Sequence, residues 1–217
     1  MLFSEILGQD FIKSHLTKSA TSGRIPHAQL FVGPEGSGTL AMAIAYSQFI
    51  LCNNLNAENE GGNESCNLKF QSISHPDLHF VFPVATTDSV KSHAVSDNFM
   101  VEWRQFLTES PYGSLFDWLK NLGIQNKQGL IGVDEATEIN KKLSLKAYEG
   151  GYKVMIIWMA DKMNGSSANK LLKLLEEPPA KTVFILITEN TSDMLQTILS
   201  RCQVIDFIGW HGSCYNY

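Results

Sequence analysis

The sequence has no long apolar run, few cysteines and no excess of positive charge. No run approaches the roughly 18 apolar residues of a membrane-spanning helix, and the N-terminus lacks the pattern of a signal peptide. The 4 cysteines in 217 residues form no dense disulfide framework. A formal net charge of -5 disfavours autonomous DNA binding, which depends on Lys and Arg neutralising phosphates. These features predict a cytoplasmic globular protein that reaches DNA, if at all, through partners.

A glycine-rich loop is the most informative feature that is present. The segment 33–40 reads Gly-Pro-Glu-Gly-Ser-Gly-Thr-Leu between an apolar run and a helical run, the setting of a phosphate-binding P-loop. Gly33, Gly36 and Gly38 stand where that motif needs them, but Thr39 and Leu40 replace the Lys that neutralises phosphates and the Ser or Thr that holds Mg²⁺. We expect a degenerate loop without nucleotide. Weak phosphate binding by its backbone amides stays open as an alternative.

Apolar patterning predicts an α/β fold. Strands are predicted at 28–32, 78–82, 153–159, 183–188 and 204–207. Helical spacing is found at 10–20, from the glycine loop to about Leu51, at 134–145 with Asp134 as N-cap, at 166–175 and at 194–199. Strands that alternate with helices predict a mainly parallel sheet covered on both faces, with a functional loop at the carboxyl ends of the strands.

The chain is predicted to contain one core domain, residues 1–207, followed by an irregular tail, residues 208–217. A polar excursion at 52–75 and an aromatic-rich helical insertion at 85–130 interrupt the core. The insertion contains Trp103, Phe106, Phe116 and Trp118. Packing of a local subdomain is the favoured interpretation, and a protein-binding patch is the alternative.

A series of short boxes resembles the AAA+ clamp-loader subunits of bacterial DNA polymerase III. They are FSEILGQ at 3–9, SGRIPHA at 22–28, HPDL at 75–78, LLKLLEEPP at 171–179 and SRC at 200–202. Each box is weak alone, but together, in the family's order, they span residues 3–202. The resemblance implies an AAA+ P-loop-type (RecA-like) parallel sheet with helices on both faces. The helical lid and collar domains that usually follow in this family have no counterpart in the sequence pattern.

The departures from the family pattern resemble its non-hydrolysing delta-prime type more than its gamma/tau ATPase. In the ATPase, an Asp-Glu pair after the third strand holds Mg²⁺ and polarises the attacking water. Trp158 and Met159 stand there, and neither an indole nor a thioether performs these tasks. Asp161 does not restore the register, and a Glu at 189, near the sensor position, would repel a γ-phosphate. The resemblance therefore implies an ATPase-silent subunit without a cofactor.

The resemblance also implies a role for Arg201. In this family the arginine of the Ser-Arg-Cys box reaches into the neighbouring subunit's ATP site and stabilises charge on the γ-phosphate. The alternative is an ordinary ion-paired surface arginine. The family often carries a four-cysteine zinc module in the excursion. Only Cys52 and Cys66 are present there, so we expect no metal, because structural zinc needs four ligands. Cys214 is expected to be an incidental thiol.

The expected function is that of a clamp-loader subunit that scaffolds the ATPase ring and provides Arg201 in trans. Its expected partners are the gamma/tau and delta subunits, with the sliding clamp and primer–template DNA contacted through the complex, and no membrane. Two alternatives remain. One is a weakly active gamma/tau-type ATPase whose missing charge comes from Lys153 or Lys162. The other is a P-loop-like protein-binding module outside any ring.

Overall fold

Five strands form one parallel sheet in the computed structural model, which describes residues 1–52, 63–148 and 151–209. The strand order is β2-β3-β4-β1-β5, and every neighbouring pair is parallel. The strands are β1 Ala28–Val32, β2 Leu78–Val81, β3 Lys153–Ile157, β4 Thr182–Thr188 and β5 Gln203–Asp206. The predicted sheet is confirmed. Cys214 and most of the predicted tail lie outside the described residues.

Eight α-helices accompany the sheet within the described ranges. They are α1 Asp10–Thr21, α2 Thr39–Cys52, α3 Glu64–Gln71, α4 Met100–Glu109, α5 Leu115–Asn121, α6 Val133–Ser144, α7 Gly165–Glu176 and α8 Gln196–Leu199. Short 3-10 helices lie at Phe3–Glu5, Ser96–Phe99 and Ala160–Lys162. No helix in this part of the chain is long and apolar enough to cross a bilayer.

The sheet is buried on both faces, as its apolar strands predict. In β3, Val154 and Ile156 belong to a core shared with α1 to α5, whereas Met155 and Ile157 belong to a second core shared with α6, α7 and α8. This alternation follows from the two-residue period of a strand. The sheet therefore forms a rigid middle layer that fixes the loops at its two edges.

Several predicted boundaries differ from the structure by one or two residues, and two of these differences have a clear physical reason. The third strand was predicted to reach residue 159 but ends at Ile157, because Met159 adopts a left-handed conformation (φ 54°) that turns the chain into the next 3-10 helix. Asp134 is not the N-cap of α6. Gly132 holds that position, and Asp134 lies in the first helical turn, where a carboxylate complements the helix dipole.

The excursion at 52–75 contains a helix that its polar composition concealed. Helix α3 is capped by Asn63, whose side chain accepts a hydrogen bond from the Cys66 amide. A disulfide joins Cys66 to Cys52 at the end of α2. This bond was not expected from the cysteine count. Among the described residues no group of three or more His, Cys, Asp or Glu side chains is arranged to hold a metal ion.

The aromatic insertion packs onto the sheet. The Trp103 ring stacks on Phe82 at 4.1 Å between centroids and meets Trp118 edge-on at 4.9 Å. Trp103, Phe106 and Trp118 are buried, as the packing interpretation predicts, while Phe116 is 61% exposed. The insertion is thus continuous with the core, and it places the turn between α4 and α5 beside the glycine loop.

Candidate functional site

The glycine loop lies at the carboxyl edge of the sheet, where the sequence predicted it. Gly33 follows β1, and its amide donates a hydrogen bond to the Thr188 carbonyl at the end of β4 (3.1 Å). Helix α2 begins at Thr39. Gly33, Gly36, Gly38 and Thr39 all line one small cavity. The structure therefore brings together the predicted loop residues.

Two loop glycines adopt conformations that other residues rarely accept. Gly36 has φ +76° and Gly38 has φ +83°, both in the left-handed region that favours glycine. At position 38 there is also no room for a side chain, because a Cβ there would lie 2.8 Å from Cε1 of Tyr112. The loop keeps a P-loop-like backbone, and another part of the chain packs against it.

The cavity bounded by the loop is too small for a nucleotide. Its volume is about 20 Å³, enough for one water molecule, whereas small-molecule pockets usually measure about 300 Å³ or more. Trp158 and Met159 line it together with Tyr112. The Trp158 ring lies 5.2 Å from that of Trp103 and is 3% exposed, so core packing holds it in place. Hydrophobic side chains thus lie where, by the family resemblance, an ATPase has the residues that hold Mg²⁺ and polarise the attacking water.

Charge at the loop is acidic. Glu189 lines the cavity, and its pKa is raised by burial first and then by the nearby Glu35 and Asp161 carboxylates. Asp161 accepts a hydrogen bond from the Thr188 hydroxyl (3.0 Å) and pairs with Lys162 (2.6 Å). Lys162 is therefore already paired with a carboxylate, and the carboxylates beside the cavity disfavour a phosphate.

Lys153 lies at the amino edge of the sheet, opposite the glycine loop. It begins β3 and is 6% exposed, and its ammonium group donates hydrogen bonds to the carbonyls of Leu143 and Leu145 near the end of α6. A cation bound to helix-terminal carbonyls is structural. The alternative in which Lys153 supplies the missing loop charge is therefore wrong.

Arg201 also lies at the amino edge, between α8 and the edge strand β5. Its guanidinium donates to the Thr197 carbonyl (2.8 Å) and pairs with Glu176 at the end of α7 (2.5 Å). The side chain is 34% exposed. Strand β5, about 13 Å long at roughly 3.3 Å per residue, separates this edge from the glycine loop. Arg201 is thus an ion-paired arginine that faces away from its own loop.

The residues beside Arg201 support the local turn. The Ser200 hydroxyl donates to the Thr197 carbonyl (3.1 Å). Cys202 is partly buried, and burial raises the pKa of its thiol to about 11, so the thiol stays protonated and unreactive near neutral pH.

Tyr112 is the site residue that the sequence analysis missed. The run Ser-Pro-Tyr-Gly at 110–113 predicts the turn between two helices, and such a turn is present. Its contact with the glycine loop spans some 74 positions of sequence, from 38 to 112, and no local pattern reports a contact of that range.

Comparisons with known proteins agree with the fold. A family model described as "DNA polymerase III, delta subunit" matches residues 8–210. Subunit delta′ of Bacillus subtilis (strain 168) is 30% identical over 197 residues, covering 88% of this chain and 45% of that protein. Subunit delta′ of Escherichia coli (strain K12) is 29% identical, covering 91% and 46%. Subunit tau of Bacillus subtilis is 27% identical, covering 94% and 29%.

Solved structures show the same AAA+ P-loop-type architecture. A gamma subunit-related protein of Thermotoga maritima matches with a TM-score of 0.51 and 17% identity, covering 91% of this chain and 44% of the other. A RuvB variant of Thermotoga maritima matches with a TM-score of 0.50 and 13% identity, covering 95% and 47%. The chain spans less than half the length of each of these proteins.

Proposed function

Because this chain belongs to the DNA polymerase III delta subunit family, we propose that it is a non-hydrolysing, delta-prime-like subunit of the clamp loader. In this role it scaffolds a ring of gamma/tau ATPase subunits together with delta, in the cytoplasm. The ring places a sliding clamp on primer–template DNA. The chain meets clamp and DNA through the complex, consistent with its net charge of -5.

The observation that carries the proposal is the small cavity at the glycine loop. A cavity of about 20 Å³ leaves no room for the phosphates and ribose of a nucleotide. Thr39 and Leu40 provide neither the cation nor the Mg²⁺ ligand of a working loop, and Glu189 adds negative charge beside them. Space, charge and ligand chemistry all support an ATPase-silent subunit.

The position of Arg201 supports its action on a neighbouring subunit. In a ring of similar subunits packed head to tail, the face opposite one subunit's nucleotide loop meets the loop of the next. Arg201 lies on that opposite face, beside the edge strand β5 and partly exposed. We propose that in the assembled ring its guanidinium contacts the neighbour's γ-phosphate and stabilises the charge that develops during hydrolysis.

The ion pair with Glu176 is compatible with this role. Glu176 is 47% exposed and Arg201 is 34% exposed, so water screens their attraction. Exposed pairs of this kind contribute about 0.2–1 kcal/mol. A γ-phosphate in a site shielded from water attracts a guanidinium more strongly than one exposed carboxylate does. We propose that Glu176 holds Arg201 until a neighbour's nucleotide competes for it.

The experiment is a clamp-loading ATPase assay on the reconstituted complex with clamp and primer–template DNA. The isolated chain should neither bind nor hydrolyse ATP. In the complex, Arg201→Ala should lower hydrolysis at the one site beside this chain by roughly 10³-fold or more, the contribution of an arginine finger at a single site. The total ATPase rate should fall by that site's share, because the other sites keep their own arginines. Arg201→Lys should rescue poorly because an ammonium cannot reproduce the planar fork.

The matched control is Lys170→Ala, which removes the same charge from an exposed position of α7. It should leave the rate unchanged. If the Arg201→Ala complex assembles normally and hydrolyses ATP at the wild-type rate, Arg201 has no role in trans. If the isolated chain hydrolyses ATP and a substitution in its own loop abolishes that turnover, the chain is an active ATPase.

A further inference from the structure

Tyr112 projects from a well-defined turn toward the glycine loop. The turn runs from Ser110 to Gly113 and is closed by a hydrogen bond from the Gly113 amide to the Ser110 carbonyl (2.9 Å). Pro111 holds the second position, where its fixed φ favours a tight turn. The turn is backed by Phe106, whose Cζ would lie 2.7 Å from a Cβ at position 113. The direction of Tyr112 is therefore set by the packed insertion.

The Tyr112 side chain makes two contacts that fix it over the loop. Its ring lies against Gly38, where a Cβ would approach Cε1 to 2.8 Å. Its hydroxyl accepts a hydrogen bond from the Leu7 amide (3.2 Å), in the N-terminal segment. The ring thus lies between the end of the glycine loop and the N-terminal segment, and it lines the cavity of about 20 Å³.

We propose that Tyr112 is a specificity-determining residue that excludes nucleotides from the glycine loop by filling the space over Gly38. The inference rests on the proposed ATPase-silent function and explains how silence is maintained. The missing lysine removes the attraction for phosphate, and Tyr112 removes the space for it. These two barriers are independent, so restoring the lysine alone does not restore binding.

The test is a set of substitutions probed with ADP by isothermal titration calorimetry. ADP is chosen because it carries less negative charge than ATP next to Glu35 and Glu189. Thr39→Lys alone should bind no more ADP than the wild-type chain does. Thr39→Lys with Tyr112→Ala should bind ADP about tenfold more tightly or better than Thr39→Lys alone, the gain expected from one charge-assisted hydrogen bond.

Two control pairs separate the effect of the aromatic ring of Tyr112 from other effects of the substitutions on ADP binding. Thr39→Lys with Tyr112→Phe keeps the ring and loses only the hydroxyl, so it should bind like Thr39→Lys alone. Thr39→Lys with Tyr148→Ala removes a tyrosine that is 76% exposed, and it should do the same. If Thr39→Lys alone binds as tightly as the pair with Tyr112→Ala, or if that pair shows no gain, the proposal is overturned.

A second measurement covers the case in which Tyr112→Ala impairs folding. The ring current of Tyr112 should shift the Gly38 amide signal in an NMR spectrum of the wild-type chain. The signal should stay in place in Tyr112→Phe and move in Tyr112→Leu. An unmoved signal in Tyr112→Leu would show that the ring does not cover Gly38. The proposed function fails on a different result, namely ATP turnover by the wild-type chain.

Discussion

Gly38 shows at the scale of one residue how backbone and packing constrain the loop together. Its φ of +83° is unfavourable for an L-residue, and a Cβ would press on the Tyr112 ring. We expect Gly38→Ala to lower the free energy of unfolding by about 1–3 kcal/mol. Gly165→Ala is the control, since a Cβ there meets no atom within 4 Å. Urea denaturation measures both, and equal effects would contradict the constraint.

The buried carboxyl group of Glu135 makes the free energy of unfolding depend on pH. It is 1% exposed, and its Oε2 accepts a hydrogen bond from the Ser96 amide (2.7 Å). Burial raises its pKa from 4.5 to about 7, although the Ser96 hydrogen bond acts in the opposite direction. A raised carboxyl pKa means that the folded chain binds a proton more tightly than the unfolded chain does. The bound proton therefore stabilises the folded chain fully below the pKa of Glu135 in the unfolded chain. This stabilisation is lost as the pH rises through the folded pKa of about 7.

Replacement of Glu135 by Gln should remove this dependence. Relative to Glu135→Gln, the wild-type free energy of unfolding should fall by on the order of 1–3 kcal/mol as the pH rises from about 5 to 8. Burial also lowers the pKa of His79 to about 4, but both proteins share His79, so its contribution cancels in the difference. Urea unfolding across this pH range is the measurement. Parallel curves for the two proteins would mean that Glu135 titrates normally.

At the scale of elements, the sequence was most informative where burial is complete. The strands β3 and β4 are buried throughout and apolar except at their ends, so their apolar runs predicted them well. Helix α3 was missed because it buries only Cys66 and Phe70 and most of its other residues are polar. The apolar pattern of a segment indicates only how much of that segment is buried. Helix α3 is instead held in place mainly by its contact with the end of α2, which the pattern does not show.

The disulfide between Cys52 and Cys66 gives α3 a testable dependence on redox state. The two cysteines are 14 positions apart, and closing a loop of that size stabilises a fold by about 3 kcal/mol. We expect dithiothreitol to lower the free energy of unfolding of the wild-type chain by about this amount. The double substitution Cys52→Ala with Cys66→Ala should unfold equally well with and without reductant.

Cys202→Ala is the matched control because Cys202 carries a free thiol. This variant should keep the full response to dithiothreitol. A wild-type chain whose stability does not change on reduction would show that the bond contributes nothing to the fold.

At the scale of the whole molecule, the sheet separates two edges with different chemistry. The sequence predicted the glycine loop at the carboxyl edge, because strand direction determines which loops meet. The family resemblance implied that Trp158 and Met159 lie at the metal and base positions beside it. The sequence left the partners of two residues undetermined. Tyr112 reaches Gly38, and Arg201 reaches Glu176 some 25 positions away. Such contacts depend on how elements pack in three dimensions, and a single sequence carries no local signal for them.

The two possible roles of Arg201 predict different effects for a substitution of its ion-pair partner, Glu176. If Arg201 serves only the ion pair, then Arg201→Ala and Glu176→Gln remove the same interaction and should have the same effect. If Arg201 acts on a neighbouring subunit, Glu176→Gln frees the guanidinium and should keep hydrolysis at the neighbour's site within about fivefold of wild type, the equivalent of about 1 kcal/mol. Arg201→Ala should lower the rate at that site by roughly 10³-fold or more.

Stability and ATPase rate must be measured on the same variants to separate these outcomes. Both substitutions should change the free energy of unfolding of the isolated chain by less than about 1 kcal/mol, because the pair is partly exposed. The double variant should hydrolyse ATP like Arg201→Ala, since Glu176 acts only through the arginine. Equal rates for Arg201→Ala and Glu176→Gln in the assembled complex would assign Arg201 to the ion pair and remove it from the neighbour's site.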